Sequence, residues 1–255
     1  MDKKSTSWGN VSSWYDDLLK DPDTYQKKVI LPNLLRILDI KKGERILDLG
    51  CGQGFFSEEF AKLGGNVFGI DISPELIKIA KARNTKNVAY DVSAGDTNLS
   101  FKDGFFDKSV IVLALQNIKD VNKVFEEMKR VLNEKGSLAI VLNHPSFRVP
   151  QASDWMFDEG KKMQGRVVYE YLSEKKVEII MNPGFAAKKE KAVKTYSFHR
   201  SLQLYFKLLS KNGFAVTRLE EWISHKESGT GPRKTAEDKA RKEIPLFMMI
   251  ETKKI

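Results

Sequence analysis

"ERILDLGCGQGFFSEEF", residues 44–60, is the stretch on which the fold turns. A short apolar run leads into glycines at 50, 52 and 54, and a helix-like segment follows. Glycine is needed where φ is positive or where a ligand must touch backbone. A glycine turn between a strand and a helix is how α/β proteins present backbone N–H groups to a nucleotide. The dinucleotide fingerprint needs G-x-G-x-x-G, but here Phe55 stands where its last glycine belongs. A phosphate-binding Walker loop needs G-K-[ST], which does not follow.

Asp48, two residues before Gly50, is the informative position. A carboxylate there repels a pyrophosphate, and residues 46–61 hold no lysine or arginine to offset it. A ligand that is cationic near the turn reverses the argument. S-adenosyl-L-methionine has no phosphate and carries a sulfonium and an ammonium group, so the turn favours it over NAD or ATP. Cys51 is expected to contribute backbone as a small residue.

The rest of that ligand should be met downstream, at the ends of later strands, where open α/β sheets bind. Asp71 lies 21 residues after Gly50 at the end of the second predicted strand, placed to accept from ribose hydroxyls. Alone, it can also cap the helix opening at Ser73. Ile72 can pack on the adenine face. Asp96, with Thr97 beside it in "SAGDT", can accept from the adenine amino group or serve as an ordinary turn residue. Residues 113–116, beginning with Leu113, should wall the sulfonium end.

Hydrophobic periodicity extends the reading outward. Residues 1–43 read as helices at the N-terminus that close the cofactor site. Residues 44–143 alternate strand and helix, with strands at "RILDL", "NVFGID", "NVAYDVS", "KSVIVLAL" and "GSLAIVL". Ser73 and Pro74 mark one helix start. Such alternation gives a mostly parallel sheet covered on both faces, a doubly wound α/β fold. The rhythm is lost over 144–200, which reads as an inserted lid and acceptor-binding region after the fifth strand. Its first part is loop-like; "EYLSEKKVEIIMN" and "KTYSFHR" read as strands. Residues 201–255 read as a helix and two antiparallel strands, separated by a charged loop, that complete the sheet.

Net charge is +9, from 43 Lys+Arg against 34 Asp+Glu, yet the charges are interleaved and no run of five or six like charges occurs. That pattern fits a solvated surface better than a nucleic-acid face. The single cysteine allows no intrachain disulfide and suits a reducing, cytoplasmic setting. No apolar signal core opens the sequence, and its longest apolar run, 110–115, is too short to span a bilayer.

Three segments together resemble the class I S-adenosylmethionine-dependent methyltransferases, and within them the type 11 small-molecule domains that include quinone-biosynthesis enzymes. They are "ILDLGCGQGFFSEEFAKLGGNVFGIDISPELIKIAK", "AGDTNLSFKDGFFDKSVIVLALQNIKD" and "VFEEMKRVLNEKGSLAIVL". The resemblance covers about 44–143. It implies a seven-stranded Rossmann-like sheet with a reversed last strand. It implies that Asp48 and the turn of Gly50, Gly52 and Gly54 hold the methionine part, Asp71 the ribose and Asp96 the adenine. It also implies an N-terminal aromatic, near Tyr15, closing over the cofactor.

The chemistry expected is in-line attack of an acceptor atom on the sulfonium methyl, helped by positioning and desolvation. A base is needed only for an acceptor that starts protonated. His144, directly after the fifth strand, and His199 are the candidates; His225 ranks behind them. Trp155, Phe157, Tyr169, Tyr171, Phe185, Tyr196 and Phe198 can line an apolar acceptor pocket or form the lid's own small core. Arg148, Arg166 and Arg200 can meet an acidic acceptor. The histidines and cysteine show no metal-ligand spacing. The expected partner is a small-molecule acceptor, with nucleic acid disfavoured, no membrane, and a monomer or homodimer. The rival functions are RNA or protein methylation, and cofactor binding without turnover.

Overall fold

The computed structural model describes residues 6–181 and 193–255. Its centre is a parallel sheet of β1 (Arg45–Leu49), β2 (Asn66–Asp71), β3 (Val88–Val92), β4 (Phe106–Val112) and β5 (Leu132–Asn143). Two late strands, β10 (Phe214–Trp222) and β11 (Phe247–Lys254), extend it. The order is β10-β11-β5-β4-β1-β2-β3, and β11 runs antiparallel to both its neighbours. This is the doubly wound, seven-stranded, mostly parallel arrangement expected from the sequence, with the last strand reversed.

Alternation along the strands explains why both faces are covered. Leu47, Ile111, Ile140 and Ile250 point to one buried cluster, while Ile46, Val110, Val141 and Met249 point to the other. The first cluster is closed by α5 (Val121–Val131) and α6 (Leu202–Lys211). On α5, Val121, Val124, Phe125 and Met128 recur at helical spacing and are buried. The second cluster is closed by α2 (Leu31–Leu38) and α3 (Phe55–Lys62). The helix α4 (Pro74–Ala82) packs beside Tyr90 through Ile77 and Ala80. Its start is as expected: Pro74 stands at the first position and the Ser73 hydroxyl accepts from the Leu76 N–H at 3.3 Å.

The N-terminal region is helical, with α1 (Ser12–Lys20) followed by a wide turn of π-helix, Gln26–Ile30, running into α2. Arg83, after α4, ties α1 to the core by pairing with Asp16 of α1 and, at 2.9 Å, with Glu58 of α3.

Three local expectations are corrected. The fourth strand stops at Val112, because Leu113 takes a left-handed conformation (φ 53°) and residues 115–117 wind into a 3-10 turn. The first part of the inserted segment is not all loop: β6 (Ser153–Asp158) and β7 (Met163–Val168) form a hairpin ahead of the anticipated pair β8 (Lys175–Ile180) and β9 (Lys194–His199). The charged stretch between β10 and β11 contains α7 (Lys234–Glu243), whose only buried residue is Ala240. Tertiary contact sets that helix: it packs against β7, and Arg233 at its N-cap lies 4.3 Å from the Phe157 ring and 2.6 Å from Glu159. Phe185 and the expected connection over 183–193 lie outside the described residues, apart from Val193. No helix among the described residues is long and apolar enough to cross a membrane.

Candidate cofactor and acceptor site

A cavity of about 590 Å³ opens at the carboxyl ends of β1, β2, β4 and β5. The glycine turn forms its floor. Gly50, Gly52 and Gly54 have φ of 75°, 57° and 89°, the left-handed region that side chains avoid. Close approach adds to this: a Cβ on Gly50 would lie 2.4 Å from the Ala114 Cβ, and one on Gly54 would lie 2.3 Å from the Tyr90 hydroxyl. The turn is pinned to β2 by the Gly50 and Cys51 N–H groups, which donate to the Ile70 carbonyl at 2.8 and 3.0 Å.

Asp71 joins turn and strand end. Its Oδ2 accepts from the Gly52 N–H at 3.0 Å and its Oδ1 from the Ser73 N–H at 2.8 Å. It thus serves the helix start and still lines the cavity. Burial raises its pKa, against the pull of those backbone donors. Asp48 does not line the cavity. It is 2% exposed, on the strand face toward α3, and its Oδ2 accepts from the Ser57 hydroxyl at 2.6 Å. Burial pushes its pKa up to about 7, with the Ser57 hydrogen bond opposing and the Asp71 charge adding.

Tyr15 on α1 covers the turn, its ring 3.7 Å from where a Gly52 Cβ would sit. Its pKa is pushed up to about 12 by burial, with the charges of Asp71 and Asp48 adding. Ile72, half-exposed, and Asp96 both line the wall. Leu113 and Cys51 line the cavity too. Thr97 does not; its hydroxyl donates to the Ala94 carbonyl at 2.7 Å.

The far wall comes from the inserted segment. Tyr196 and Phe198 of β9 and Lys176 of β8 face the cavity, with the Lys176 ammonium 3.6 Å from the Tyr196 ring centre. The Ser7 and Thr195 hydroxyls meet at 2.9 Å, so the N-terminal segment and the β8–β9 hairpin touch over the opening. Two buried side-chain atoms at this cavity, Gln53 Nε2 and Gln116 Oε1, have no partner among the described residues. Buried polar atoms are normally paired, so both are free to bond to a molecule held in the cavity.

Residues 47–140 match the family described as "Methyltransferase domain". This segment is a methyltransferase domain. A crystal structure of an S-adenosylmethionine-dependent methyltransferase from Mesorhizobium loti superposes with TM-score 0.69 at 25% identity, covering 88% of this chain and 96% of that one. The demethylmenaquinone methyltransferase of Paenarthrobacter aurescens is 36% identical over 149 residues, 56% of each chain. The ubiquinone biosynthesis O-methyltransferase of Xanthomonas oryzae is 32% identical over 127 residues, 46% of this chain and 53% of that one. The chain spans about half the length of these curated relatives.

The structure brings neither favoured histidine to the mouth of the methyltransferase domain. His144 is buried, its Nε2 lies 2.7 Å from Glu221 Oε1 and its Nδ1 accepts from the Ser146 N–H at 3.2 Å. Burial lowers its pKa, with the bond to Glu221 opposing. His199 donates from Nε2 to the Tyr171 carbonyl at 2.8 Å. The reason is topological. The chain turns away from the cavity at the end of β5, so that Asn143 lines it and His144 does not. His225 sits at the rim of the N-terminal region against Asp23. Trp8, Gln53 and Lys176 also line the cavity and are not singled out by sequence reasoning. Trp8 and Lys176 reach it through the tertiary placement of the N-terminal segment and β8, which no local pattern marks; Gln53 lies within the glycine turn, where the glycines alone carry the signal.

Proposed function

We propose that the chain is an S-adenosylmethionine-dependent methyltransferase acting on a small-molecule acceptor. The observation that carries this is the acid pair, Asp48 and Asp71, set around a glycine turn with no flanking cation. Such a floor disfavours a pyrophosphate and stabilises a ligand bearing positive charge. The orphaned amides of Gln53 and Gln116 give such a ligand polar partners.

In this reading Asp71 accepts from the ribose hydroxyls while its backbone bonds hold the carboxylate in place. Ile72 offers an apolar face to the adenine, and Asp96 accepts from its amino group. Cys51, Gly52 and Leu113 border the methionine part. Asp48 acts through its field, because it is buried behind the turn with Ser57 bonded to its Oδ2. When bound, S-adenosylmethionine supplies an electrophilic methyl group on sulfur. The protein's part is to position the acceptor and to exclude water. Tyr15 and the β8–β9 hairpin act as the cover, and Gln116, Asn143 and Tyr196 orient the acceptor. Both ring nitrogens of His144 and the Nε2 of His199 are bonded within the protein, so this reading gives neither a proton-transfer role.

Relatives named demethylmenaquinone methyltransferase and ubiquinone biosynthesis O-methyltransferase support an aromatic acceptor, which suits a wall containing Phe55, Tyr196 and Phe198. The test is incubation with methyl-labelled S-adenosylmethionine and a panel of phenols and quinols. Label should move to an aromatic acceptor with S-adenosylhomocysteine as co-product. Cofactor binding without transfer to any of the panel would turn the reading toward another acceptor class, and absence of cofactor binding would end it.

A further inference from the structure

Beyond β5 the chain folds back, with the Arg148 N–H donating to the His144 carbonyl at 2.8 Å. The turn brings two guanidinium groups to one indole: Arg148 lies 5.5 Å and Arg166 5.2 Å from the Trp155 ring centre. Arg166 is fixed, donating from Nε to the Phe147 carbonyl at 2.8 Å and from Nη2 to the Ser153 hydroxyl at 2.9 Å. Arg148 is not. Its Nε is buried and has no partner among the described residues. A third arginine, Arg241, stands on α7, which packs against β7, the strand of Arg166; it is bonded only to the Ser228 hydroxyl, at 3.1 Å, among the described residues, and its charge is felt at Arg148.

No carboxylate among the described residues is ion-paired with any of the three. The nearby acids are otherwise engaged. Asp154 acts on Arg166 from a distance, but its Oδ1 accepts from the Trp155 N–H at 2.7 Å. Glu221 is taken by His144 and Glu159 by Arg233. Burial and the neighbouring arginines lower the Arg148 pKa to about 10. Crowding like charges around a buried, unpaired N–H is costly unless something anionic joins them. Guanidinium forks match the planar oxygens of a carboxylate or phosphate.

We propose that Arg148, Arg166 and Arg241 form a binding site for an oxyanion, a phosphate or carboxylate group. The site goes beyond the cofactor reading. It lies just past the end of β5, whose last residue, Asn143, lines the cavity. The oxyanion can therefore be the far end of the acceptor or a separate solute.

The probes are inorganic phosphate and citrate, compared with sodium chloride at equal ionic strength, in thermal denaturation of the whole chain. The wild-type midpoint rises by several degrees with either probe and not with chloride. Arg148→Met gives a midpoint equal to or above wild type without anion, and loses the rise. A variant that removes only a packing contact would instead start lower and keep the rise. Should Arg148→Met fail to fold, Arg241→Gln serves, with phosphate affinity reduced severalfold in calorimetry. An equal response to phosphate and chloride, or an undiminished phosphate response in the folded variants, overturns the site. Phenyl phosphate separates the sources: tighter binding than inorganic phosphate, strengthened by S-adenosylhomocysteine, assigns the oxyanion to the acceptor, while equal affinity assigns it to a free anion. A parallel titration of wild type with S-adenosylhomocysteine alone reports on the cofactor reading, so either can fail without the other.

Discussion

The core over 44–143 and the inserted segment over 144–200 are held together by different physics. The core buries whole faces of strands, and β1, β4 and β5 alternate between two apolar clusters. The described part of the insertion buries only Val149, Val177 and Met181 among its hydrophobic residues. Several of its aromatic rings lie instead against cations: Trp155 against Arg148 and Arg166, Tyr196 against Lys176, Phe157 against Arg233, Phe198 against Arg200. The core therefore sets stability and the cofactor floor, while the insertion can vary its wall of the cavity at small energetic cost.

The sharpest way to break that contrast is a pair of truncations. Phe125→Ala, in the fully buried cluster, should cost about 3–5 kcal/mol. Trp155→Ala, which removes two cation–ring contacts, should cost about 1–2 kcal/mol. Denaturant midpoints decide it, and equal losses would mean that the insertion is part of the core. Next in size is the turn. Gly50→Ala places a Cβ at 2.4 Å from Ala114 in a left-handed backbone, so S-adenosylhomocysteine affinity should fall by about tenfold or more.

The buried acid gives the core a pH signature of its own. Asp48 has its pKa raised from 3.8 to about 7, so the folded state holds a proton that the unfolded chain has released. Its contribution to stability therefore declines as pH rises from about 4 to 7, and is flat above. Binding of a cation favours the ionised form and has the opposite slope. Affinity for S-adenosylmethionine should climb by up to about tenfold per pH unit below 7 and level off above it. Calorimetry across that range checks it, and Asp48→Asn should bind more weakly with a flattened profile. The smallest effect expected is at the α1 tether. Arg83→Gln loosens two partly exposed ion pairs, for about 0.5–1 kcal/mol and a few-fold loss of cofactor affinity.

The same contrast explains what was legible in the sequence. β1 and β2, the glycine turn, Ser73 and Asp71 were readable because local chemistry specifies them: apolar runs, positive φ, a cap, an acid at a strand end. Even so, the Asp48 carboxylate points to Ser57 rather than into the cavity, which follows from its face of β1 and not from its distance to the glycines. The β6–β7 hairpin and α7 were missed because neither buries an apolar stripe; cation–ring contacts and packing against each other hold them. His144 and His199 looked well placed by chain order alone. Their rings are turned away by the fold-back after β5 and by the Tyr171 carbonyl, details no spacing rule carries.

The central claim is that the acid-lined turn binds the methyl donor, and calorimetric titration with S-adenosylhomocysteine tests it most directly. Saturable one-to-one binding is expected for the wild type, reduced by about tenfold or more in Asp71→Ala while circular dichroism shows the variant folded. No binding at high micromolar concentration, or an unchanged affinity in Asp71→Ala, would contradict the account.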